Sequence, residues 1–108
     1  MLADPLGAAQ QAERNRQRRS ATMHQHPDGH WSLHADLDEV GGPEFLEIFS
    51  WYVDREFARD WAEATRRLGE GNVDVTKLER TEAQRRADAL LDRTEQAFRT
   101  MEQLPRHR

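Results

Sequence analysis

At 108 residues, 36% hydrophobic and 33% charged, the chain fits one small domain with a thin apolar supply, so a partner chain or a further segment is expected to complete its core. A formal net charge of −4 excludes a global basic footprint for nucleic acid, and the absence of cysteine excludes disulfide staples and thiolate zinc sites. There is no signal-peptide h-region, and no apolar run approaches the roughly 20 residues of a membrane span, so a soluble cytoplasmic protein with no membrane partner is expected.

Charge is distributed unevenly. Residues 1–19 carry four Arg against Asp4 and Glu13, net +2, and residues 64–108 carry ten bases against eight acids, also net +2. Between them, residues 28–63 carry ten acids against Arg55 and Arg59, net −8. The first element is a helix over 5–18 within an N-terminal arm, 1–19: Asp4 can cap it and Pro5 fits its first position. Its Arg-rich end has almost no apolar stripe, which makes the helix marginal alone.

A β-hairpin is expected over 20–38. Ser20 to His26 reads as one strand, and Pro27-Asp28-Gly29 supplies a three-residue turn with a bulge at Gly29. Trp31, Leu33, Ala35 and Leu37 then alternate with Ser32, His34 and Asp36, the pattern of a half-buried strand.

Gly41-Gly42-Pro43 breaks the chain before a long helix, 42–69. Phe45, Phe49, Val53, Phe57 and Trp61 recur every four residues on one face, which predicts a core stripe, while Trp51 sits off it and suggests a second contact surface. Gly69 and Gly71 end the helix. A linker, 70–80, with a short turn within Asn72 to Val75, leads to a C-terminal helix, 81–104. Thr81 and Gln84 form a capping box, and Pro105 stops the helix near Leu104. Ala87, Leu90, Leu91, Thr94, Phe98 and Met101 give it a clean face. The fold class is mainly α with one β-hairpin, in the order helix, hairpin, long helix, linker, helix, with no internal repeat.

Four of the five histidines fall in the hairpin. Pairing around the Pro-Asp-Gly turn sets His26 opposite His30, His24 near Ser32 and Thr22 near His34, so all four share one face. His24, His26 and His30 could then serve as zinc or other divalent-metal ligands. The simpler reading is a polar face opposite Trp31 and Leu33, and no cofactor is expected.

Elsewhere the chain offers no phosphate-cradling Gly loop and no Ser-His elbow, so no catalytic residue is assigned. Two arginine groups could contact phosphate: Arg14, Arg16, Arg18 and Arg19, then Arg80, Arg85 and Arg86. The alternative is a solvated surface with salt bridges to Glu82 or Asp88.

The motif order Arg18-Arg19, strand, Pro27-Asp28-Gly29, Trp31, Leu33, Leu37-Asp38 resembles part of a bacterial family, the domain of unknown function 222, which precedes HNH endonuclease modules. Arg80-Thr81 with Ala83-Gln84-Arg85-Arg86-Ala87-Asp88-Ala89-Leu90 is the most specific piece of the likeness, and Asp4-Pro5 with Gly7-Ala8 fits upstream. The family usually has Pro where Glu82 stands. His107 alone follows the last helix, without the ββα frame of an HNH site, so no catalytic residue carries over. The resemblance implies a non-catalytic accessory fragment that supports DNA contact or nuclease assembly, with DNA or a nuclease module as partner. The alternative is a helical protein-interaction or homodimerisation module, whose surface or core would comprise Phe45, Phe49, Trp51, Phe57, Trp61, Leu90 and Phe98.

Overall fold

A computed structural model describes residues 5–103 as α1 (Pro5–Gln17), β1 (Ser20–Gln25), β2 (Trp31–Asp36), α2 (Gly41–Leu68), a 3-10 turn (Val75–Lys77) and α3 (Glu82–Glu102). This is the mainly α, single-hairpin class read from the pattern. Asp4, Leu104, Pro105 and His107 lie outside the described residues, and with them the first cap, the last stop and the terminal histidine. The chain divides into two compact units, Met1–Leu46 and Glu47–Arg108.

In the first unit, α1 has no apolar face, and its residues from Leu6 to Gln17 are exposed or at most half-buried. Asn15 of α1 donates a 2.7 Å hydrogen bond to Glu39. The antiparallel strands pair Thr22 with His34, Met23 with Leu33, His24 with Ser32 and Gln25 with Trp31, the register that the turn demands. Gly29 closes that turn at φ 97°, a left-handed value that glycine adopts without strain, and its amide donates to the His26 carbonyl at 2.9 Å. The expected half-buried face is not buried: Met23, Trp31 and Leu33 are 65%, 58% and 52% exposed. Alternation fixes which side chains share a face. It does not provide a layer to cover that face, and a two-stranded ribbon has none of its own.

In the second unit α2 and α3 meet, but through other residues than the apolar stripes predict. The residues that are buried are Glu56 and Ala64 on α2, Arg85 and Ala89 on α3, and Leu78 between them. Phe49 and Val53 are half-buried, yet Phe57 and Trp61, which continue their stripe, are exposed. The expected core role of Phe57, Trp61 and Phe98 is therefore corrected. The cause is periodicity: a straight helix turns 100° per residue, so a stripe kept at spacing four drifts off the contact line. By Glu56, Asp60 and Ala64 the contact line has passed to the neighbouring row. On α3 the face of Leu91, Phe98 and Met101 likewise points outward. Among the described residues no large side chain is fully buried.

The C-terminal capping box is present as read. Thr81 accepts from the Gln84 amide at 3.1 Å, and Gln84 returns a 2.9 Å acceptor to the Thr81 amide. The linker carries a single 3-10 turn in which Asp74 accepts from the Thr76 amide at 2.9 Å.

Candidate functional site

The closest convergence of chemistry lies in the second unit, where Arg80 enters from the linker ahead of the Thr81 cap. Its Nη2 is 2.7 Å from Asp60 Oδ1 and 2.9 Å from Glu56 Oε2, and its Nη1 is 2.7 Å from Asp88 Oδ2. Asp60 foremost, then Asp88 and Glu56, raise the Arg80 guanidinium above its already high pKa against the opposing pull of partial burial. Arg85 Nη1 donates to the Arg80 carbonyl at 2.9 Å and reaches Asp60 at 3.5 Å, while Arg59 bridges Glu56 at 2.9 Å and Asp92 at 3.3 Å. Charge-assisted bonds thus fill the helix interface where an apolar core would stand.

This network gives the stretch from Arg80 to Ala89 a structural role. Arg80 and Asp88 tie α3 to α2, Thr81 and Gln84 cap α3, Arg85 is buried against Asp60 and the Arg80 carbonyl, and Ala89 is wholly buried. The geometry gives Arg80 and Arg85 internal carboxylate partners, so a phosphate would have to displace Asp60 or Glu56 to reach them. Arg86 instead lies 5.4 Å from the centre of the Phe49 ring. In the first unit Arg14 donates to Gln11 at 2.8 Å, and Arg16 faces Glu13 at 3.7 Å. Arg18 lines a shallow hollow with Asn15, Asp36 and Leu37, and Arg19 contributes to the field on Asp38.

Sequence reasoning missed Glu56 and Asp60 as partners of Arg80, and the Arg59–Asp92 pair beside them. The available signal was the spacing of Glu56, Asp60 and Ala64, four apart on α2, against Arg85 and Ala89, four apart on α3.

A second grouping is the aromatic surface. Phe57 and Trp61 lie with ring centres 5.8 Å apart and, with Ala58 and Ala62, line an open apolar groove. Trp51, exposed and off the stripe, packs edge-on to Tyr52 at 5.0 Å under Arg55. Phe45 and Leu90 are half-buried, and Phe98 is exposed.

The histidine face has the expected register, but its rings face one another. His26 stacks on His30 at 3.9 Å and meets His24 edge-on at 4.9 Å. His26 Nε2 is 2.7 Å from Ser32 Oγ, and His30 Nδ1 bonds Asp28, which this contact, with the His30 amide, holds below the ordinary carboxylate range. Among the described residues no three His, Cys, Asp or Glu side chains form a group that could hold a metal ion.

No helix among the described residues is long and apolar enough to cross a membrane. No family model, characterised protein or solved structure matches the chain.

Proposed function

We propose that this chain is a protein-interaction module whose helical hairpin completes its apolar core by association. The observation that carries the reading is the combination of exposed apolar side chains on both helices, Trp61 beside Phe57 (whose ring also lies 5.2 Å under Arg85) and Leu91 with Phe98, and an interface in which the buried side chains are Glu56, Arg85, Leu78 and two alanines. Contiguous exposed apolar surface of this kind costs free energy in water and is relieved by a partner. The test compares the parent with Phe57→Ser/Trp61→Ser and with Leu91→Ser/Phe98→Ser. Helicity at high dilution is expected to persist in all three. Self-association, or the binding of an apolar dye to a chain that stays monomeric, is expected in the parent and lost in the variants. A parent that neither associates nor binds the dye refutes the reading.

Arg18 and Arg19 favour a second reading. Neither guanidinium makes a hydrogen bond or ion pair among the described residues. Together with the resemblance to the nuclease-associated family, this supports an accessory contact to DNA or to a nuclease module. Fluorescence anisotropy of labelled duplex at low and moderate salt tests it. Binding that weakens with salt is expected, and none at either salt rules it out.

A further inference from the structure

We infer that the occupant of the exposed α2 face is a second copy of this chain, paired antiparallel along α2; this rests on the interaction-module reading. The argument begins with the charges of α2 in the second unit. Glu56, Arg59 and Asp60 belong to the network with α3, Glu63 pairs with Arg67, and Arg55 lies over its own Trp51. Glu47, Asp54 and Arg66 alone among these charges have no partner among the described residues, and all three are exposed. Their placement is ordered. Asp54, Ala58, Ala62 and Arg66 form one i, i+4 ladder, acidic at its N-terminal end, basic at its C-terminal end and small in the middle.

Read backwards, that ladder is its own complement. An antiparallel copy that crosses α2 along this inclined i, i+4 row sets Ala58 and Ala62 against the partner's alanines, where the absence of bulk permits close helix approach, and brings Asp54 to Arg66 of the second copy. A two-fold axis makes every such pair twice. The same axis keeps the Phe57–Trp61 pairs of both copies on one side of the seam, where the groove they line with Ala58 and Ala62 is apolar. A parallel copy would set Asp54 against Asp54 and Arg66 against Arg66, so the free charges select the antiparallel sense.

Sedimentation equilibrium of the full chain over a range of concentrations tests the inference, with circular dichroism as the check on folding. The parent is expected to dimerise. Asp54→Arg and Arg66→Asp alone should each weaken the dimer about tenfold, since each turns two attractive pairs into two repulsive ones. The double variant Asp54→Arg/Arg66→Asp should return to parental affinity, which a misfolded chain could not do. A parent that stays monomeric while its Phe57–Trp61 face binds an apolar dye or a different protein overturns the second copy and leaves the module reading intact. A dimer indifferent to both charge reversals overturns the α2 seam. A parent that neither dimerises nor binds the dye overturns both readings.

Discussion

Arg80 holds Asp60 through two nitrogens, Nε at 3.0 Å and Nη2 at 2.7 Å from the same Oδ1, in the fork geometry that lysine cannot reproduce. Glu56 is buried and Asp60 half-buried, so removing Arg80 leaves two poorly solvated carboxylates short of a partner. Arg80→Ala should cost about 2–3 kcal/mol of stability in urea unfolding. Arg80→Lys should recover only part of it, because one ammonium cannot serve Asp60, Glu56 and Asp88 together. A loss within measurement error in Arg80→Ala would show that the network is ornamental to stability.

The positions that tolerate change should be the reverse of those the apolar pattern nominates. Ala64 and Ala89 are 0% exposed and Trp61 is 39% exposed. Ala89→Leu forces a branched side chain into the helix contact and should cost about 1–3 kcal/mol. Trp61→Ala, measured at a dilution where the chain is monomeric, should cost about 1 kcal/mol or less, well under the value for emptying a buried site. Thermal unfolding of the two variants side by side decides it. A larger loss from Trp61→Ala than from Ala89→Leu would place Trp61 in a core after all.

The local elements were legible because their signals are local. Pro27-Asp28-Gly29 set the hairpin register, Thr81 with Gln84 set the start of α3, and Gly69, at φ 91°, ends α2. The packing was not legible, because a helix has several faces and apolar periodicity names only the greasiest. What decides the α2–α3 contact is a set of long-range charge pairs, Arg80 with Glu56 and Asp60 and Arg59 with Asp92. Glu56 and Asp60 could as well have been solvated on sequence grounds. Asp88, eight residues from Arg80, was within reach of sequence reasoning, whereas the α2 carboxylates Glu56 and Asp60 lie 20 or more residues away.

The capping box at α3 uses side-chain atoms that make none of the ion pairs of the network beside it. Thr81→Ala deletes the acceptor for the Gln84 amide, and Gln84→Ala deletes the acceptor for the Thr81 amide. Thr81→Ala should destabilise the chain by about 1 kcal/mol, and the double variant should lose less than the sum of the two single changes, since the bonds are reciprocal. Hydrogen exchange should locate the effect in the first turn of α3. Protection there that equals the parent's would mean that Arg80 and Arg85 alone hold that turn.

At the start of α2, Asp38 accepts from the Gly41 amide at 2.7 Å and from the Val40 amide at 3.2 Å. The Gly41 bond foremost holds its carboxyl below the ordinary range against the opposing effect of desolvation, with further help from the Val40 bond and the positive field of Arg19 and Arg16. A carboxylate whose folded pKa is depressed adds stability that is fully present above its unfolded value of about 3.9 and is lost as pH falls through the folded value. Neutral and mildly acidic solutions should therefore leave the α2 start unchanged, and fraying should set in only below about pH 4. An NMR titration should show the Gly41 amide moving with an inflection below that of an isolated aspartate. In Asp38→Asn, which keeps an acceptor but no titrating proton, that movement should vanish. An inflection at or above about 3.9 would mean that the Gly41 contact does not favour the charged form, and that the start of α2 is held by its backbone bonds alone.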